Sequence, residues 1–308
     1  MTDILALGEA LAEFMRLPDG PDRRPIYRQG FGGDTSNAII AAARQGAKTG
    51  YISAVGGDPL GNDLMQLWAR EGVCTDQVKI KPQDPTGAYF VNPHPSGRQF
   101  SYARRGSAAS HLAAGDLDET KIQNAQILHV SAISLAVSSS MRHAAFKACR
   151  LAKDAGVKVS LDTNLRLNLW TLKQAREVIF DLLPLADIVF PSDDEAEQLV
   201  ESSDEDTILR TFAQHEAEFV LLKRGEKGPV MYTKGQKRAF QPPKIKAVDS
   251  TGAGDSFAGA WLAYYLETAD PHLAVERAMR VAAQTVGGHG AVEPIPRRAE
   301  VLRAVKAT

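Results

Sequence analysis

The sequence predicts an α/β protein with a mostly parallel central sheet and a small β lid. Three observations carry that expectation. Apolar runs of strand length alternate with helix-length stretches through most of the 308 residues, which implies right-handed crossovers and a sheet covered on both faces. Between about 85 and 105 the pattern changes to two β-type segments around a turn cluster. Beyond about residue 250 the chain reads mainly helical.

Ile4-Leu5-Ala6-Leu7, ending in Gly8-Glu9, reads as a buried first strand whose C-terminal end opens on a site. Residues 11–31 are rich in Pro, Gly and charge and read as a surface excursion rather than core. Asp34-Thr35-Ser36-Asn37 supplies capping-type residues to a helix running through 38–43. Residues 49–56 form a second strand and 60–71 a helix. Segments 86–91 and 99–104 flank Asn92-Pro93-His94-Pro95-Ser96-Gly97 as a hairpin and, with parts of 11–31, build the lid. Strands follow at 127–130, 157–162, 188–190 and 219–223, with helices at about 138–155, at 171–183 and between 193 and 215. Residues 226–248 add short β segments. No low-complexity linker or solenoid repeat divides the chain, so 1–308 is expected to be one domain, with a lid of about 11–31 and 85–105 inserted in it.

Composition narrows the function. With 36 Lys and Arg against 37 Asp and Glu, the formal net charge is -1, so no bulk field recruits nucleic acid or an anionic membrane, and neither is expected as a partner. Any preference for anions must be local. Cys74 and Cys149 belong to no CxxC pair and are expected to be reduced core thiols. The start MTDILALGEALAEF has no basic leader, and no apolar run reaches about 18 residues, so a cytoplasmic location is expected.

Asp249-Ser250-Thr251-Gly252-Ala253-Gly254-Asp255-Ser256-Phe257 runs from a Gly-rich turn straight into an apolar helix. Free N–H groups and the positive end of the helix dipole favour an anion there, and small residues allow it close. Asp255 beside such a site is either a helix cap or a general base next to a transferring phosphoryl group. A GxxxxGK[ST] loop, HExxH, GxSxG and a GxGxxG after the first strand are all absent, which excludes the P-loop, zincin, serine-hydrolase and Rossmann signatures.

The chain resembles the ribokinase-like (PfkB-type) carbohydrate kinases over nearly its whole length. Two signatures carry the likeness: residues 249–257, and Gly32-Gly33-Asp34-Thr35-Ser36-Asn37 followed by Gly46 and Gly56-Gly57-Asp58-Pro59-Leu60-Gly61. The resemblance implies a ribokinase-like three-layer α/β domain with its mostly parallel central sheet and small β lid. It also implies ATP and Mg²⁺ as cofactors, and a monovalent cation site near Gly287-Gly288-His289-Gly290-Ala291. Asp255 would take the proton of the attacking sugar hydroxyl, and the N–H groups around Gly252, Ala253 and Gly254 would stabilise the phosphoryl charge.

Within that family the sequence is most similar to 2-keto-3-deoxygluconate kinases, on Gly33-Asp34-Thr35, Tyr89, the run 102–108, Leu161-Asp162-Thr163-Asn164-Leu165-Arg166 and Leu169-Trp170. This implies a sugar-acid substrate met by Gly33, Asp34, Asn37, Tyr89, Tyr102, Arg104 and Arg166. A guanidinium pairs with a carboxylate or forks onto hydroxyls, and the tyrosines pack on a carbon chain while bonding its oxygens. Arg in a hairpin is otherwise a solvated strand residue.

On the nucleotide side the same resemblance points to Ser192, Lys223, Gly225, Gly228, Gly252 and Gly254. Glu195 would order water around Mg²⁺. Ser192 stands where the family motif carries Asn, and an acidic helix start or a generic strand-to-hairpin turn reads similarly at 191–195 and 223–228. The expected activity is ATP-dependent phosphorylation of a terminal sugar-acid hydroxyl. A neutral-sugar kinase such as a fructokinase, or a non-catalytic binder on the same fold, are the alternatives. Lid hairpins of this kind resemble those that pair across homodimers.

Overall fold

Strand β1 (Ile4–Leu7) lies inside a nine-stranded sheet and shows how the core is divided. Leu5 and Leu7 join one hydrophobic cluster and Ile4 and Ala6 the other, as the two-residue period of a strand requires. Both faces are therefore covered, which explains the unbroken apolar run. The computed structural model describes residues 2–306 apart from Pro21, Pro95, Ser96 and Glu216.

In chain order the first part continues with β2 (Leu11–Leu17), β3 (Ile26–Gly32), α1 (Asp34–Arg44), β4 (Thr49–Gly56), α2 (Pro59–Glu71), β5 (Val73–Lys81), β6 (Ala88–His94) and β7 (Gly97–Ala103). The middle holds α3 (Glu119–Gln123), β8 (Ile127–Ser131), α4 (Ala132–Ala136), α5 (Ser139–Asp154), β9 (Lys158–Asp162), α6 (Leu172–Leu182), β10 (Ile188–Phe190), α7 (Asp193–Val200) and α8 (Glu205–Ala213). Then come β11 (Phe219–Leu222), β12 (Val230–Thr233), β13 (Gln236–Ala239), α9 (Ala253–Thr268), α10 (Pro271–Thr285) and α11 (Arg298–Lys306).

The large sheet has the order β13-β12-β11-β10-β9-β8-β1-β4-β5, parallel except for β12 and β13. Helices cover both faces: α5, α6, α7 and α8 pack into the cluster of Leu5 and Leu7, and α1, α2, α9 and α10 into that of Ile4 and Ala6. Strand order reverses at β1, between β8 and β4, and the carboxyl ends of strands at such a point form a crevice. The smaller sheet, β3-β2-β6-β7, combines the 11–31 region with the hairpin.

Several local expectations change. The 11–31 region is not all surface, since β2 enters the sheet with Leu11, Ala12 and Glu13 buried. Strand β5 was not foreseen, because its buried positions, Val73, Gln77 and Val78, do not alternate and lie among charged outward residues. Residues 240–249 form no strand after β13. Cys74 is exposed rather than a core thiol, while Cys149 is buried. The hairpin turn expected at 92–97 has its centre, Pro95-Ser96, outside the described residues.

Helix starts separate into two groups. Asp58, Ser138, Thr171, Asp204 and Asp270 cap α2, α5, α6, α8 and α10 with side-chain acceptors. By contrast α1, α4, α7 and α9 start at Gly33, Ser131, Ser192 and Gly252 with no side-chain cap, correcting the expectation that 34–37 would cap α1. Parts of these first turns are served locally: the Thr35 N–H donates to Asp34 Oδ1 at 2.8 Å, the Asp193 N–H to the Lys223 carbonyl at 2.9 Å and the Ala253 N–H to the Ser250 carbonyl at 3.2 Å. Helices α1 and α9 also cross backbone to backbone, since a Cβ on Gly259 would lie 1.9 Å from the Ala38 carbonyl oxygen.

Candidate active site

The turn before α9 is shaped by Asp249, whose Oδ1 accepts from the Thr251 N–H at 3.0 Å and hydroxyl at 2.7 Å. Its Oδ2 accepts from the Gly290 N–H at 2.8 Å, tying the turn to the C-terminal loop. Gly252 has φ 76°, and a Cβ there would stand 2.7 Å from the Ala291 carbonyl oxygen, so only glycine fits. Ala253 and Gly254 open the helix and Asp255 falls in its first turn. Gly252, not Asp255, occupies the cap position, and the Asp255 carboxylate instead accepts from Asn37 Nδ2 of α1 at 2.8 Å.

Around Asp255 the strand ends deliver a cluster of charges. Asp162 closes β9, Lys223 follows β11, Glu195 lies in the first turn of α7, and Asp34 opens α1. Lys223 Nζ donates to Asp162 Oδ2 at 2.6 Å. Arg166 Nη1 donates to Glu195 Oε1 at 3.0 Å, and the Thr163 hydroxyl to Glu195 Oε2 at 3.4 Å. Asn164 Nδ2 donates to Asp34 Oδ2 at 3.0 Å. Burial, with the nearby charge of Asp34, pushes the Asp255 carboxyl up to about 7, while Asn37 and Lys223 pull the other way. Burial likewise raises Asp34 and Glu195. For Lys223 burial disfavours the ammonium, yet Asp162 and Glu195 outweigh it and hold the pKa above the ordinary lysine value.

One face of the smaller sheet carries Glu13, Tyr89 and Tyr102 in register, with Arg104 two residues on. Tyr89 and Tyr102 stack with ring centroids 5.9 Å apart, and the Arg104 guanidinium lies 5.5 Å from the Tyr102 ring centre. The Tyr89 hydroxyl donates to Glu13. Arg104 is ion-paired with buried Glu9, which also accepts from the Ser107 hydroxyl at 3.1 Å. Both arginines expected to meet substrate are thus already partnered by glutamates.

Of the residues expected on the nucleotide side, Lys223 lies against the glycine turn, since a Cβ on Gly254 would be 3.4 Å from its Nζ. Ser192 forms a parallel bridge with Lys223. Gly225 and Gly228 flank a single 3-10 turn that Arg224 pins to the Gly228 carbonyl and to Glu205, outside the carboxylate cluster. Sequence reasoning assigned no role to Glu9, Glu13, Asp162 or Asn164. For Glu9 and Asp162 a signal exists: a carboxylate at or just beyond the end of an apolar strand, at the sheet's carboxyl edge.

The model of the pfkB family carbohydrate kinases matches residues 1–298. The chain belongs to the pfkB family of carbohydrate kinases. Among its relatives, a 2-dehydro-3-deoxygluconokinase of Thermoproteus tenax is 34% identical over 98% of this chain and 94% of that protein. Fructokinase-2 of Solanum lycopersicum is 30% identical over 98% of this chain and 96% of its own length. An E. coli structure described as a ribokinase II in complex with ATP and Mg²⁺ superposes with a TM-score of 0.92 at 28% identity, covering 100% of both chains. The fold of this pfkB-family protein is accordingly ribokinase-like, and its smaller sheet stands where a lid is expected.

Proposed function

We propose that this sugar kinase transfers the γ-phosphoryl group of ATP to the terminal hydroxyl of a sugar acid, with 2-keto-3-deoxygluconate the best substrate and its 6-phosphate the product. One observation carries the reading: a carboxylate with pKa raised to about 7 sits in the first turn of an uncapped helix, beside a glycine turn and an ammonium. The sugar oxygen attacks the γ-phosphorus, the bond from that phosphorus to the β,γ-bridging oxygen breaks, and ADP leaves with the electron pair. The hydroxyl proton passes to Asp255. N–H groups of Gly252, Ala253 and Gly254, with Lys223, stabilise the transferring charge.

Asp34 and Asn164 face the sugar hydroxyls, Tyr89 and Tyr102 its carbon chain, and Arg104 and Arg166 its carboxylate. The smaller sheet acts as the lid that excludes water. Ser192, Gly225 and Gly228 border the nucleotide. Mg²⁺ takes oxygen ligands, keeps waters and rides on nucleotide phosphates, so it needs few protein carboxylates. Among the described residues no group of three or more His, Cys, Asp or Glu side chains could hold a metal alone, and buried Glu195 is an oxygen donor suited to ordering its waters. The ion, when bound, neutralises charge on the transferred group.

A neutral sugar such as fructose is the second reading, favoured by the pairing of Arg104 with Glu9 and Arg166 with Glu195, which offsets their positive charge. A cytoplasmic location and a homodimer through the lid, where Ile26, Tyr27, Phe100 and Tyr102 are exposed, complete the proposal. ADP release should be measured with a panel of sugar acids and neutral sugars. Highest kcat/KM for 2-keto-3-deoxygluconate supports the first reading, and highest for fructose supports the second. No transfer to any sugar, with ligand binding retained, would mean a non-catalytic binder.

A further inference from the structure

We propose that Asp162 is a positioning residue for phosphoryl transfer that acts through Lys223, holding the ammonium at the anion turn and away from the catalytic base. The inference deepens the kinase reading and rests on Lys223 facing the phosphate side.

Asp162 is buried at the end of β9 and divides its two oxygens. Oδ1 accepts from the Asn164 N–H at 3.1 Å, shaping the loop that carries Asn164 toward Asp34. Oδ2 accepts from Lys223 Nζ at 2.6 Å. The root of that lysine is fixed by its own main chain: its N–H donates to the Pro191 carbonyl at 2.7 Å, and its carbonyl accepts from the Asp193 N–H at 2.9 Å. A fixed root leaves the long stem as the only freedom, and the tip is where Asp162 acts.

The neighbourhood makes that hold consequential. Lys223 is in the field of three carboxylates, Asp162, Glu195 and Asp255. An ammonium released by Asp162 has Asp255 as an alternative partner, and a lysine paired there would make Asp255 a weaker base while leaving the phosphate without its cation. Held by Asp162, Lys223 stays beside Gly254, and Asp255 keeps Asn37 as its hydrogen-bond donor. Asp162 itself need touch neither sugar nor phosphate.

The substitution Asp162→Asn separates the two contacts. Its carbonyl oxygen can still accept from the Asn164 N–H, but an amide NH₂ then faces Lys223. Steady-state kinetics of wild type, Asp162→Asn, Lys223→Met and the double variant test the idea, with thermal unfolding as the folding control. Asp162→Asn should lower kcat about 30-fold or more and raise the KM for ATP, with the sugar KM within about threefold. In the Lys223→Met background the same change should cost less than about threefold further. Equal losses in both backgrounds, or a loss carried by the sugar KM, would overturn the proposal. Should Asp162→Asn fail to fold, Lys223→Met against the double variant decides: near-equal rates support it, and a further loss above about tenfold overturns it. A wild-type protein that phosphorylates no sugar would remove the kinase reading as well, whereas an active wild type with additive losses removes only this one.

Discussion

Asn37 Nδ2 donates to Asp255 Oδ2 at 2.8 Å and so joins the starts of α1 and α9, 218 positions apart in the chain. A hydrogen bond to the charged form of a carboxyl favours that form. Asn37 therefore restrains the rise that burial imposes on Asp255.

Replacing Asn37 with Ala should move the acid limb of the kcat–pH profile to higher pH, because the donor that lowers the Asp255 pKa is gone. An unchanged limb alongside a raised sugar KM would leave Asn37 as a substrate contact alone.

Asp255→Asn should reduce kcat by at least about 10²-fold while ATP affinity is preserved, since the amide cannot accept the proton. In the wild type kcat should fall as pH drops through about 7, where the carboxylate becomes protonated. Near-normal turnover in the variant would remove Asp255 from its role.

The same residue should cost stability. Its pKa is raised in the fold from 3.8 to about 7, so between those values the folded protein keeps a proton that the unfolded chain releases. Stability is then fullest below the lower value and declines as pH rises through the window. Asp255→Asn is expected to melt above wild type at pH 8, with the gap narrowing toward pH 5 in calorimetry.

For a sugar-acid substrate, Arg166→Ala should raise its KM about tenfold or more with a much smaller change for ATP, and Arg104→Ala should do likewise. Equal effects on both substrates would point to structural damage, through the loss of partners for Glu195 and Glu9.

Gly259→Ala adds one methyl group where the Ala38 carbonyl is 1.9 Å away, and the helices must separate to admit it. Overpacking of this kind costs about 1–3 kcal/mol. Thermal unfolding should show the loss, and kcat should fall too, because the crossing sets the spacing of Asn37 and Asp255.

The sequence made the alternating core legible because a parallel sheet buried on both faces needs apolar strands such as Ile4–Leu7 and Phe219–Leu222. Edge strand β5 was not legible, since its outward residues are charged and its inward ones few. At the site, Asp255 and its glycine turn stood out because a carboxylate in an anion site demands a reason. Glu9 and Asp162 did not, because pairing with Arg104 and Lys223 is a tertiary fact that joins residues 95 and 61 positions apart. Ion pairs between strand ends leave no local period to read.

The uncapped starts of α1, α7 and α9 have one more consequence. A phosphate or sugar oxygen bound there would accept from first-turn N–H groups beside those of Thr35, Asp193 and Ala253, which already have acceptors within the chain, and so would join the hydrogen-bonded framework of these helices. Occupancy would then be written into amide exchange along those first turns, which should slow together when nucleotide and sugar are both bound.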